Sequence, residues 1–207
     1  MNFSEKITPS HTALIVIDVQ RDYFCKGGII DLMKHNYRAN EVIIPALKRF
    51  ISTSRKYLKK IIFTRQTMYP YLRSPVVMEH YTRTKMIRPF DPRNEDFYKI
   101  IPDPDDIILP KHRYSAFIGT PLDAILRANA IETLILTGVA TNVCVESTAR
   151  DGFMLDYYIV LPSDLTSGVN DQAKEMSLLN IGTFFGEVVQ SGAIVSAWQK
   201  GSKKKPA

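Results

Sequence analysis

Cysteine is almost missing from this chain: 207 residues hold only Cys25 and Cys144. Two thiols cannot build the disulfide framework of a small secreted domain, and a reducing compartment argues against their pairing at all. Long hydrophobic runs are missing too. None approaches the roughly 20 apolar residues that a membrane-spanning helix needs. The opening segment, Met1 to Ser10, has no apolar core of the signal-peptide kind. These absences lead to the expectation of a cytoplasmic protein. There is no internal repeat and no basic stripe along the body. Half of the formal net charge of +6 comes from Lys203, Lys204 and Lys205 in the terminal GSKKKPA. Residues 201–207 are therefore expected to be a disordered basic tail rather than a nucleic-acid arm.

What is present is alternation. ALIVID (Ala13–Asp18) is nearly all apolar and β-branched, as a strand buried on both faces should be. KIIFTR (Lys60–Arg65), DIILPK (Asp106–Lys111), TLILTGV (Thr133–Val139) and YYIVLPSD (Tyr157–Asp164) read as four further strands, with a short one near Val188. Between them lie helical patterns. In NEVIIPALKRFISTSRKYL the residues Ile43, Leu47, Phe50, Ile51, Ser54 and Leu58 share one stripe, and Asn40 or Glu41 is expected to lead the helix with Pro45 in its first turn. In TPLDAILRANA, Thr120 is the expected N-cap and Pro121 the first helical residue. VCVESTARDGFML reads as a helix with Glu146 and Arg150 paired outside. Further helices are expected from about Asn170 to Asn180 and around Ala193–Trp198. Strand–helix alternation of this kind means a parallel sheet with helices on both faces. Residues 1–200 form one expected domain. Its main interruption, 66–105, is rich in Pro, Arg and Tyr and reads as a lid, specificity segment or interface.

In such a sheet, ligands bind beyond the carboxyl ends of the strands. The first strand ends at Asp18, the third at Lys111, and the fourth runs through Gly138 into the turn before Cys144. Taken singly, each has an ordinary structural role: a turn cap, a solvated cation, a small packed residue. Together they bring an acid, a cation and a thiol to one rim. Cys144 falls in the first turn of its helix, where free amides and the helix dipole favour a thiolate and can hold an oxyanion. A nearby Lys111 would act in the same sense.

The segments IVIDVQRDYF, LPKHRYSAFIGTPLDAILR, LILTGVATNVCVESTARDGF and YIVLPSD together resemble the isochorismatase-like cysteine hydrolases, closest to the ureidoacrylate, N-carbamoylsarcosine and biuret amidohydrolase branch. The resemblance implies a three-layer α/β/α sandwich around a mostly parallel six-stranded sheet. It also implies a catalytic triad of Asp18, Lys111 and Cys144, a cis peptide between Val139 and Ala140, and an oxyanion hole from the amides of Ala140 and Cys144. The activity implied is metal-independent hydrolysis of a small amide or ureido compound through a thioester, with release of ammonia. Nicotinamidases of the superfamily carry an Asp-x-His metal motif after the second strand. The corresponding TRQTMYP holds neither residue, and His11, His35, His80 and His112 are scattered, so no metal and no cofactor are expected. Phe24, Gln66 and Tyr114 are candidate substrate contacts, and Arg65, Arg73, Arg83 and Arg88 are candidate partners for a substrate carboxylate. Cys25 reads as packing. The expected partners are a small-molecule substrate and further copies of the chain, as a dimer or tetramer, with no nucleic acid or membrane. The competing readings are a non-catalytic binding module on the same scaffold and a nicotinamidase- or isochorismatase-type hydrolase. Lack of thiol reactivity near neutral pH would favour the binding module.

Overall fold

The computed structural model describes residues 1–67, 69–87 and 91–203. Among the described residues there are seven strands: β1 (Thr12–Ile17), β2 (Lys60–Gln66), β3 (Ile107–Lys111), β4 (Thr133–Val139), β5 (Tyr158–Pro162), β6 (Thr166–Ser167) and β7 (Glu187–Val189). The helices are α1 (Phe3–Lys6), α2 (Arg21–Phe24), α3 (Ile29–Leu32), α4 (Ile44–Ser54), α5 (Pro75–Arg83), α6 (Leu122–Ala128), α7 (Glu146–Met154), α8 (Asp171–Phe184) and α9 (Ser191–Lys203). The strand order is β3-β2-β1-β4-β5-β7, with the short β6 pairing β4 beside β5. Every strand pairing in this sheet is parallel. The expected six strands are therefore that path, and β6 is an added two-residue piece.

The central strand shows why the sheet needs two cover layers. Leu14 and Val16 of β1 enter one apolar cluster, while Ala13, Ile15 and Ile17 enter the other. Successive side chains of a strand point to opposite faces, so an almost continuous apolar run must be covered on both. Helices α4 and α9 cover the first face through Leu47, Phe50, Ile51, Ile194 and Trp198. Helices α6, α7 and α8 cover the second through Leu122, Leu126, Ala149 and Ile181. The only tryptophan, Trp198, donates its indole N–H to Ile7 O at 2.8 Å, which ties the last helix to the first residues.

Several boundaries differ from expectation. A 3-10 turn, Tyr37–Ile43, precedes α4, which starts at Ile44 with Pro45 in its first turn. Neither Asn40 nor Glu41 leads that helix, because the buried Asn40 amide donates to Tyr23 O at 2.8 Å. Leu58 lies past the end of α4, in the loop before β2. Helix α6 starts at Leu122, and the Thr120 hydroxyl accepts the Leu122 N–H at 3.1 Å, so it performs a capping role from one residue earlier. Helix α9 runs to Lys203, so residues 201–203 are helical rather than part of a disordered tail. Residues 204–207 lie outside the described residues. No helix among the described residues is long and apolar enough to cross a membrane.

The sheet reverses direction of growth between β1 and β4, its neighbours at the centre. Loops leaving these strands diverge, and a crevice opens at their carboxyl ends. The insertion folds back onto this rim: Tyr98 N–H donates to Val19 O at 2.8 Å and Arg21 N–H to Asp96 O at 2.9 Å. Its helix α5 is thereby held over the crevice. Close packing at the rim depends on Gly138, which has φ +101°, and a Cβ there would lie 2.1 Å from Ile17 O. Gly138→Ala should lower unfolding stability by about 2 kcal/mol or more, or prevent folding, because both backbone conformation and space are denied. Urea unfolding of the variant checks this; an unchanged midpoint would contradict it.

Candidate active site

Asp18 is the first residue beyond β1 and has φ +51°, a left-handed conformation that Asp tolerates better than most residues. Thr64 on neighbouring β2 holds it twice: the hydroxyl accepts the Asp18 N–H at 3.0 Å and donates to Oδ1 at 2.5 Å. The other carboxylate oxygen, Oδ2, lies 2.8 Å from Lys111 Nζ, and neither side chain has any solvent exposure. Lys111 ends β3, two strands from β1, so its long side chain crosses the end of β2. There it donates to Gln66 Oε1 at 2.7 Å and to the carbonyls of Arg113 and Tyr114 at 2.9 and 3.1 Å. It also reaches Cys144 Sγ at 3.6 Å. Burial works to lower the Lys111 pKa, but the adjacent Asp18 carboxylate overrides it and, with the contact to Cys144, holds the ammonium above its ordinary value.

Cys144 lies in a wide turn, Thr141–Val145, between β4 and α7, where Val145 N–H donates to Ala140 O at 3.2 Å. Such i→i+5 turns recur at functional sites. The preceding bond, Val139–Ala140, is cis, as the family resemblance implied. The thiol is almost wholly buried. Its pKa is pushed up to about 12: burial raises it most, Lys111 opposes that, and the Asp18 carboxylate adds to the rise. The features that favour a thiolate in the sequence therefore do not prevail. The helix start and the ammonium are present, yet desolvation in a closed pocket outweighs them. The resting site is a neutral thiol beside an aspartate–lysine ion pair.

Cys144 and Ala140 open onto a cavity of about 470 Å³. Gln66 and Tyr114 line it, as expected, and so do Tyr23 and Tyr81. A hydrogen bond joins the hydroxyls of Tyr81 and Tyr114, linking α5 to the segment after β3. Phe24 does not wall the cavity: it is buried against Tyr98, with ring centroids 5.0 Å apart. The step of roughly 100° between neighbouring residues of α2 puts Tyr23 on the cavity side instead. Of the four arginines, Arg73 lines the cavity. Arg65 stacks on Phe97 at 4.8 Å, Arg83 pairs with Glu79 at 3.2 Å, and Arg88 lies outside the described residues. Gln20 was not singled out from the sequence, although it stands inside the IVIDVQ motif. Its buried amide accepts from Gln66 N at 2.7 Å and donates to Gln66 O and Glu95 O, which pins the end of β2 to the insertion. Thr64 had no sequence signal beyond its place in a strand. Both cysteines are free. Among the described residues, no group of three or more His, Cys, Asp or Glu side chains is placed to hold a metal ion.

A doubly covered parallel sheet with a thiol, a carboxylate and an ammonium gathered at its switch point defines an isochorismatase-like hydrolase. The isochorismatase domain model matches residues 12–193, and the chain belongs to that family. It is 37% identical to the ureidoacrylate amidohydrolase RutB of Enterobacter sp. (strain 638), over 87% of this chain and 86% of that protein. Among solved structures it is similar to a cysteine hydrolase from Pseudomonas syringae pv. phaseolicola 1448A, with a TM-score of 0.80, 25% identity, and 94% and 95% of the two chains covered. It is also similar to the N-carbamoylsarcosine amidase of Thermoplasma acidophilum, with a TM-score of 0.68, 27% identity, and 87% and 96% covered.

The neutral thiol has a measurable consequence. A pKa of about 12 leaves little thiolate at pH 7 in the ligand-free protein. Alkylation of Cys144 by iodoacetamide should therefore be slow at pH 7 and accelerate about tenfold per pH unit up to pH 10. A rate already at its plateau at pH 7, followed by mass spectrometry of the Cys144 peptide, would contradict this. Slow labelling alone thus does not argue for a binding module.

Proposed function

We propose that the protein is a cysteine-dependent amidohydrolase acting on a small amide or ureido compound, through a thioester and without a metal. The observation that carries this reading is the buried ion pair, Lys111 Nζ 2.8 Å from Asp18 Oδ2, set 3.6 Å from Cys144 Sγ at the floor of the cavity. Asp18 accepts the thiol proton as Sγ attacks the carbonyl carbon, so charge moves from carboxylate to sulfur and on to the carbonyl oxygen. The amides of Ala140 and Cys144 receive that oxyanion. Asp18 returns the proton to the leaving nitrogen, and ammonia departs rather than an amide anion. A water, deprotonated by the same carboxylate, then opens the thioester. Lys111 stays charged throughout and keeps carboxylate and sulfur in register.

Support for a ureido or carbamoyl substrate comes from similarity to a ureidoacrylate amidohydrolase and an N-carbamoylsarcosine amidase. Gln66 fits this chemistry. Its amide oxygen is taken by Lys111, so its amide nitrogen is the end to meet a ureido carbonyl. Arg73 is the candidate for a substrate carboxylate, since it lines the same cavity. The reading places the enzyme in the cytoplasm.

Ammonia release from ureidoacrylate, N-carbamoyl amino acids, biuret and nicotinamide, with chelator present, tests the proposal. Wild type should release ammonia from at least one ureido compound. Cys144→Ala should be slower by at least about 10³-fold while melting within a few degrees of wild type. Equal activity in both proteins would sink the thiol mechanism. Self-association belongs to the same proposal, because Met176, Leu179 and Phe184 stand exposed on α8. Light scattering should give a mass of two chains or more; the mass of one chain would refute that part.

A further inference from the structure

The cavity over Cys144 is larger and more apolar than a short ureido acid requires. Its volume of about 470 Å³ falls within the roughly 300–1,000 Å³ typical of sites for drug-sized ligands. The reactive groups occupy one part of it, around Cys144, Ala140 and Gln66. Elsewhere the wall is built from Ile29, Ile30 and Met33, on and just after α3, and from Met78, Met86 and Ile87, on and after α5. The main core packs its aliphatic side chains to almost no exposure, yet Met33 and Ile87 remain 37% and 49% exposed. Uncovered apolar surface on a concave wall marks a place where a ligand completes the packing. The three methionines are unbranched and adaptable, and they suit a flexible chain better than a rigid ring.

The charged groups of the wall do not call for a cationic tail. Asp22 accepts the Ile29 N–H at 2.9 Å, and Asp91 pairs with Arg93 at 2.8 Å. Both carboxylates are therefore engaged within the protein, and Glu95, the third acidic residue of the lining, is not free either.

We propose that the substrate carries an unbranched apolar substituent of several carbons, seated between Ile29, Ile30 and Met33 on one side and Met78, Met86 and Ile87 on the other. This apolar wall sets the preference among carbamoyl compounds. The inference rests on the amidohydrolase reading for its chemistry, but its geometry can be tested apart from turnover.

The probes are N-carbamoyl derivatives of alanine, 2-aminobutyrate, norvaline and norleucine, which keep the reacting group and the carboxylate and lengthen only the chain. Ammonia release gives kcat/KM for wild type, and calorimetry gives Kd for Cys144→Ala, which binds without turnover. Both should improve about fourfold per added methylene. Met78→Gln and Ile29→Asn should each flatten that slope. A flat or falling slope in both measurements would overturn the inference, while Cys144-dependent ammonia release would leave the hydrolase reading standing. Affinity that climbs with chain length in Cys144→Ala, without ammonia release by wild type, would support the apolar wall and refute the hydrolase. A steep slope that survives both wall substitutions would also overturn the inference.

Discussion

Two opposite charges, those of Asp18 and Lys111, lie 2.8 Å apart with no exposure to solvent. Each alone would be costly to bury, by several kcal/mol, and their attraction offsets this only when the remaining polar contacts are complete. Here they are. Thr64 serves one carboxylate oxygen, Gln66 and two backbone carbonyls serve the ammonium, and Gln20 fixes Gln66 in turn. The pair therefore dictates how the ends of β1, β2 and β3 are arranged. Removing either partner would leave a naked charge in the core.

The same pair acts on the chemical state of the sulfur, which burial dominates. Burial and the nearby carboxylate keep the thiol protonated, and the ammonium opposes them without prevailing. A neutral nucleophile beside a ready base suits a step in which proton transfer and attack proceed together. In the proposed mechanism it also lets one carboxylate serve both halves, taking a proton from sulfur and later from water. In the proposed reaction the protein thus separates roles: the floor of the cavity reacts, and the wall selects.

That wall is where the fold departs most from a bare strand–helix alternation. The insertion docks through backbone bonds to the segment after β1 and delivers α5 to the rim. Tyr81 then meets Tyr114, and the methionines face the cavity. The segment that reads in the sequence as a lid, specificity segment or interface forms part of the cavity wall.

The sequence by itself determined the sheet, its two covering layers and the meeting of Asp18, Lys111 and Cys144 at one rim. Apolar runs such as Leu14–Ile17 must be buried on both faces, and strand ends place Asp18, Lys111 and Cys144 on one rim for reasons local to each strand. Tertiary structure alone decided the rest. Whether Phe24 or Tyr23 faces the cavity depends on the angle at which α2 leaves β1, which no residue pattern encodes. Which arginine lines the site depends on how the insertion folds back. Most of all, the helix position of Cys144 does not reveal its resting state. Dipole and neighbouring charge are visible in a sequence, whereas desolvation belongs to the closed pocket and exists only once distant segments have packed together.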